Sequence, residues 1–217
     1  MVDVLIKGGP VMIPLLLCSV LALAVAFERI LYLLRTSQDP ERALRLISIA
    51  VERNRMADAI TAVQRLKGQI GSLAAAALTN ASRPRAELEA EIRAAGDREV
   101  FLLENHLPIL DMVVTVAPLL GLLGTVLGLI KNFRVLAETP QLLEAGALSA
   151  GIAEALITTA AGLTIAAPAF VLHVYITSLI DRRILEMGEF GSSLVNLLSE
   201  GVREDELPQK QPQKASG

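Results

Sequence analysis

From Ala155 to Ile180 the chain carries no formally charged side chain, and the run follows directly on Glu154, whose own N-terminal side is apolar back to Ala145. At 1.5 Å rise per residue, about 20 apolar residues cross the hydrocarbon core of a bilayer, so this stretch predicts a membrane helix with residues to spare. Two more stretches qualify, Val11 to Phe27 and Met112 to Ile130. The expectation is an all-α integral membrane protein with three transmembrane helices. Composition agrees: mean hydropathy of +0.51 and 53% hydrophobic with only 20% charged residues require charge and apolarity to be segregated along the chain.

Several function classes drop out. A net charge of -3, a pI near 5.5, 3% aromatic residues and no Trp supply neither the basic surface nor the stacking platforms that nucleic acid needs. Cys18 is the single cysteine and has no intrachain disulfide partner. The sequence holds no His-Glu-x-x-His, paired-cysteine, Gly-x-Ser-x-Gly or phosphate-loop pattern, so no metal, no cofactor and no enzyme activity is expected. Lys7 ahead of an apolar run, with Ala22-Leu23-Ala24 behind it, has some features of a signal peptide, but Arg29, Arg35, Arg42 and Arg45 follow the run and favour a retained span.

Charge also sets the topology. Eleven Lys or Arg residues lie between Arg35 and His106, against two between Lys131 and Glu144, so the long segment is expected in the cytoplasm and the short connection outside. Arg182 and Arg183, after the third span, agree. The predicted order is an outer N-terminus (1–9), spans at 10–34, 107–133 and 147–181, a cytoplasmic helical segment (35–106), an outer connection (134–146), a cytoplasmic helix (182–203) and a disordered tail (204–217). The second and third helices are expected to run on into the cytoplasm.

Within the spans, Gly121, Gly124, Thr125 and Gly128 stand at i, i+3, i+4 and i+7, one face of a helix along which a neighbouring backbone can approach closely. Asp111 projects within about 40° of Thr125, toward the cytoplasmic end of the same helix. Glu154 is an ionisable group in an apolar span, which makes it a functional candidate. Thr158 lies one turn from it, whereas Thr159 is about 140° round, so helical projection alone pairs Glu154 with Thr158. Gly162 and the surrounding alanines make the third helix thin. His173 is a lone histidine near the inner end, and Glu28-Arg29 reads as an interfacial anchor whose charges snorkel or pair.

The paired segments Ala117-Pro118-Leu-Leu-Gly-Leu-Leu-Gly124-Thr125-Val-Leu-Gly128 and Gly151-Ile-Ala-Glu154-Ala-Leu-Ile-Thr158-Thr159-Ala-Ala-Gly162-Leu closely resemble the MotA/TolQ/ExbB proton-channel family, and its ExbB-like branch in particular. Gly8-Gly9-Pro10 before the first span, Glu28-Arg29 and the long cytoplasmic loop fit as well. The resemblance implies a proton-channel subunit in the bacterial inner membrane, its outer side the periplasm, that turns proton motive force into mechanical work for outer-membrane transport or envelope maintenance. It implies a homopentamer in membrane lipid, around an ExbD/TolR-like single-span subunit with a membrane Asp, acting on a TonB- or TolA-like transducer. Carried over by position, Thr125, Glu154 and Thr159 line the ion path, so the resemblance favours Thr159 where projection favours Thr158. Gly121, Gly124, Gly128 and Gly162 then serve helix packing. Family members commonly continue Pro-Ala-x-x-x-Tyr-Asn, whereas this chain reads Pro168-Ala169-Phe170-Val171-Leu172-His173-Val174, which makes His173 and Asp111 the candidates for an altered ion exit. A flagellar-stator-like motor subunit and a passive scaffold with a permanently protonated Glu154 are the alternatives, and the choice between H+ and Na+ stays open.

Overall fold

The computed structural model describes residues 9–36, 38–53, 59–61, 63, 66, 68–138 and 145–206. The expectations for the outer N-terminus before Gly9, for residues 139–144 of the outer connection and for the tail beyond Glu206 lie outside those residues. Among the described residues every regular element is helical: α1 (Met12–Arg35), α2 (Pro40–Glu52), α3 (Gln69–Thr79), α4 (Arg85–Glu104), α5 (Leu107–Glu138) and α6 (Ala145–Glu206). Three helical stretches are long and apolar enough to cross a membrane, as the apolar runs predict. The chain divides into two compact units, Met1–Tyr32 with Glu104–Leu179, and Leu33–Leu103 with Ile180–Gly217.

The first unit contains the apolar helices. Its buried positions recur at helical spacing, Leu15, Cys18, Ala22, Val25 and Ala26 on α1, Leu110, Val113 and Ala117 on α5, and Ala155, Thr158, Ala166, Ala169 and Ile176 on α6. Leu16, Leu17, Val20, Leu23 and Phe27, with Leu119, Leu122, Leu156, Phe170 and Val171, face outward. In water such an apolar exterior would be a liability; in lipid it is the matching solvent.

Small residues hold α5 against α6. A Cβ added at Gly128 would lie 2.8 Å from the Ala155 Cβ, one at Gly162 would lie 2.6 Å from the Ala117 carbonyl oxygen, and one at Gly124 would overlap the Thr158 side chain. Gly121 backs onto Thr158 and Thr159 in the same way. These contacts run antiparallel, with higher numbers on α5 facing lower numbers on α6. The glycine face expected from spacing is thus an intrachain helix seam, where close backbone approach replaces the hydrophobic drive that lipid cannot supply.

Helix ends follow local chemistry. Asp39 caps α2, its carboxylate accepting from the Glu41 and Arg42 amides at 3.0 and 3.4 Å, and Pro40 opens the helix where no intrahelical N–H is needed. Pro108 occupies the first turn of α5 for the same reason, and His106 just before it has φ of +68°, so α4 and α5 are separate helices and the expected single helix through Pro108 is interrupted at Asn105-His106. Helix α6 is continuous over 62 residues, about 90 Å, roughly three times the hydrocarbon thickness, so much of it must lie outside lipid. Pro118 and Pro168 both sit inside helices.

The second unit has the opposite polarity. Ala43, Ile47, Leu73, Ala74, Ala77, Leu88, Ile92, Phe190, Leu194 and Leu198 form its core, while Arg45, Glu41, Arg83 and Glu91 pair on the outside. Between α4 and the 184–196 stretch of α6 is a cavity of about 570 Å³.

Candidate functional site

The site grows out of the antiparallel seam. With Gly124 against Thr158 and Gly128 against Ala155, continuing one further turn brings Lys131 of α5 beside Glu154 of α6. The Lys131 Nζ donates to the Glu154 Oε2 at 3.2 Å. The Glu154 side chain is 26% exposed and the Lys131 side chain 68%, so the carboxylate is held on the protein while the ammonium reaches outward. Its other oxygen faces Gly9: a Cβ there would stand 2.7 Å from the Glu154 Oε1, and φ of +70° at Gly9 already suits glycine. Three elements therefore meet at one carboxylate, the start of the first span, α5 and α6.

Two hydroxyls stand further along the seam. Thr125 donates to the Leu122 carbonyl at 2.6 Å and Thr159 to the Gly121 carbonyl at 2.8 Å. The acceptors are consecutive residues of α5, which brings the two threonines to the same level. Both are half-buried. Each hydroxyl spends its single proton on a carbonyl and so keeps lone pairs with which to accept from, or coordinate, a passing cation. Thr158 behaves differently: it is 1% exposed, packs on Gly124, and donates to the Glu154 backbone carbonyl at 3.0 Å. Projection paired Thr158 with the Glu154 side chain, but its hydroxyl bonds back to its own helix and the carboxylate turns to Lys131.

Asp111 is exposed and His173 half-buried. Among the described residues no hydrogen bond or ion pair joins either to the Lys131-Glu154 pair. Glu28 and Arg29 form a second charged cluster. Arg29 Nε and Nη2 donate to the two Glu28 carboxylate oxygens at 2.7 and 2.9 Å, the guanidinium lies 5.1 Å from the Tyr32 ring centroid, and His106 Nδ1 stands 3.2 Å from Glu28 and 3.3 Å from Arg29. Arg29 is only 3% exposed, so the pair rather than snorkelling decides its position. Sequence reading missed two partners here, Lys131 and His106. Spacing puts Lys131 three residues after Gly128 on the glycine face, but only the antiparallel register of α5 and α6 sets it beside Glu154; His106 carried no signal.

Residues 65–189 match the family described as the MotA/TolQ/ExbB proton channel family. The chain is 35% identical to the ExbB-like 1 biopolymer transport protein of Synechocystis sp. over 197 residues, 89% of this chain and 77% of that protein. It is 34% identical to the Tol-Pal system protein TolQ of Haemophilus influenzae over 55% of this chain and 53% of that one, and 31% identical to the biopolymer transport protein ExbB of Salmonella typhimurium over 49% and 43%. The matched region contains α5, Glu154 and both threonines of the seam, and on that agreement of motif, helix architecture and sequence the chain belongs to the MotA/TolQ/ExbB proton channel family.

Proposed function

We propose that this chain is the proton-channel subunit of an inner-membrane energy-transducing complex of the ExbB/TolQ kind, converting proton motive force into mechanical work for outer-membrane transport or envelope maintenance. The observation that carries the reading is that Glu154 shares one helix seam, inside the matched family region, with two hydroxyls that each donate their proton to an α5 carbonyl. In this reading five copies surround an ExbD/TolR-like single-span subunit whose membrane Asp carries the proton past Thr125, Glu154 and Thr159. A TonB- or TolA-like transducer receives the work. The N-terminus faces the periplasm and the C-terminus the cytoplasm, so that the arginine-rich segment stays inside. Asp111 and His173 then receive the proton at the inner end. The relatives' names, biopolymer transport and the Tol-Pal system, support the destination of the work.

The test is proton flux into liposomes holding the complex of this chain with its single-span partner. Thr125→Val and Thr159→Val keep the shape and remove the acceptors, so flux should fall while the mass of the detergent-extracted complex stays that of a pentamer with its partner. Wild-type flux in both variants would remove the threonines from the path.

A further inference from the structure

Nothing in the motif explains Lys131, yet it is the side chain that touches Glu154. Ammonium is a donor only and cannot ligate a metal ion. Asn132, the next residue, is 9% exposed and packs on Gly151, one turn before Glu154; its Nδ2 has no hydrogen-bond partner among the described residues. Among the described residues the side chain bonded to the carboxylate is thus a donor, Lys131, and glycine backbone stands close at Gly9. A sodium ion needs several oxygen ligands and would meet the tethered positive charge of Lys131 instead. A proton needs neither, because it binds one carboxylate oxygen covalently.

We propose that Lys131 is a specificity-determining residue, a tethered cation that occupies the metal-ion position at Glu154 and excludes Na+ from the outer mouth of the path while admitting protons. This rests on the reading of Glu154 as part of the ion path. High exposure of the Lys131 side chain lets the ammonium swing aside when the carboxylate is protonated, and its covalent tether returns it when the proton leaves. Exclusion therefore does not block the path.

The experiment uses the complete complex in liposomes, with proton entry driven by an imposed potential and followed by an internal pH dye, in choline and in sodium salt, together with uptake of radioactive sodium. Wild type should conduct equally in both salts and take up no sodium. Lys131→Gln should conduct protons in choline but lose about tenfold of that flux in sodium, or admit sodium, since a charge within contact distance of the carboxylate has been removed. Lys131→Arg should restore wild-type behaviour. A Lys131→Gln complex indifferent to sodium and closed to it overturns the proposal, as does loss of proton flux in both salts, which would make Lys131 a carrier of the proton. Glu154→Gln in the same vesicles separates the two levels: if it conducts like wild type, the ion-path reading itself fails, whereas a dead Glu154→Gln beside a sodium-indifferent Lys131→Gln sinks only the role of Lys131.

Discussion

Glu28 and Glu154 are both carboxylates on apolar helices of the same unit, and both have a cationic partner, but their settings differ in every respect that decides what a carboxylate can do. Glu28 is gripped by Nε and Nη2 of a buried guanidinium that in turn faces Tyr32, and His106 closes the cluster from the break between α4 and α5. Among the described residues Glu154 has one ion-pair partner, an exposed lysine on a flexible stem, with the Gly9 backbone close to its other oxygen. A bidentate pair with a buried arginine fixes geometry; a single bond to a mobile ammonium can break and reform within a conduction cycle. Charge within an apolar span is therefore not by itself a mark of ion transport. The number and burial of its partners separate a clamped carboxylate from a loosely held one.

A large effect is expected at the Glu28–Arg29 pair. Arg29→Ala leaves Glu28 and His106 without their shared partner and should cost about 2 kcal/mol, under the range of about 3–5 kcal/mol for fully buried pairs because Glu28 is nearly half exposed. It should show as a lower thermal midpoint and reduced membrane abundance. An unchanged midpoint would mean that the cluster holds nothing together. Gly124→Val sharpens the other side, since the added side chain must displace Thr158 from the seam and should cost about 2 kcal/mol, read as loss of intact complex in mild detergent. Assembly at wild-type yield would show that the seam has slack. His106→Ala removes two contacts of one partly exposed ring nitrogen and should cost only about 0.5 kcal/mol of stability, with flux per complex retained. A large loss of flux there would make the inner cluster part of the ion path.

How far these features could be read in advance depends on whether they are properties of one helix or of two. The spans were legible because apolar length is local, and the glycine face because i, i+3, i+4, i+7 spacing is a property of a single helix. Projection favoured Thr158 over Thr159 because the azimuth of the neighbouring helix is not written in α6. That Thr158 packs on Gly124 while Thr159 bonds to the Gly121 carbonyl is a fact about the pair. Lys131 escaped for the same reason, needing the antiparallel register before it could be set beside Glu154. The interruption at Asn105-His106 did have a signal in Pro108, which favours a first turn over a helix interior. The apolar run following it suggested continuity instead.

The most direct test compares Glu28→Gln with Glu154→Gln, each measured for proton flux per complex at matched abundance and for thermal midpoint. Both substitutions keep volume and hydrogen-bonding capacity while removing the charge. The account predicts that Glu154→Gln nearly abolishes flux at an unchanged midpoint, and that Glu28→Gln lowers the midpoint while each surviving complex conducts normally. Wild-type flux in Glu154→Gln, or loss of flux per complex in Glu28→Gln, would contradict it.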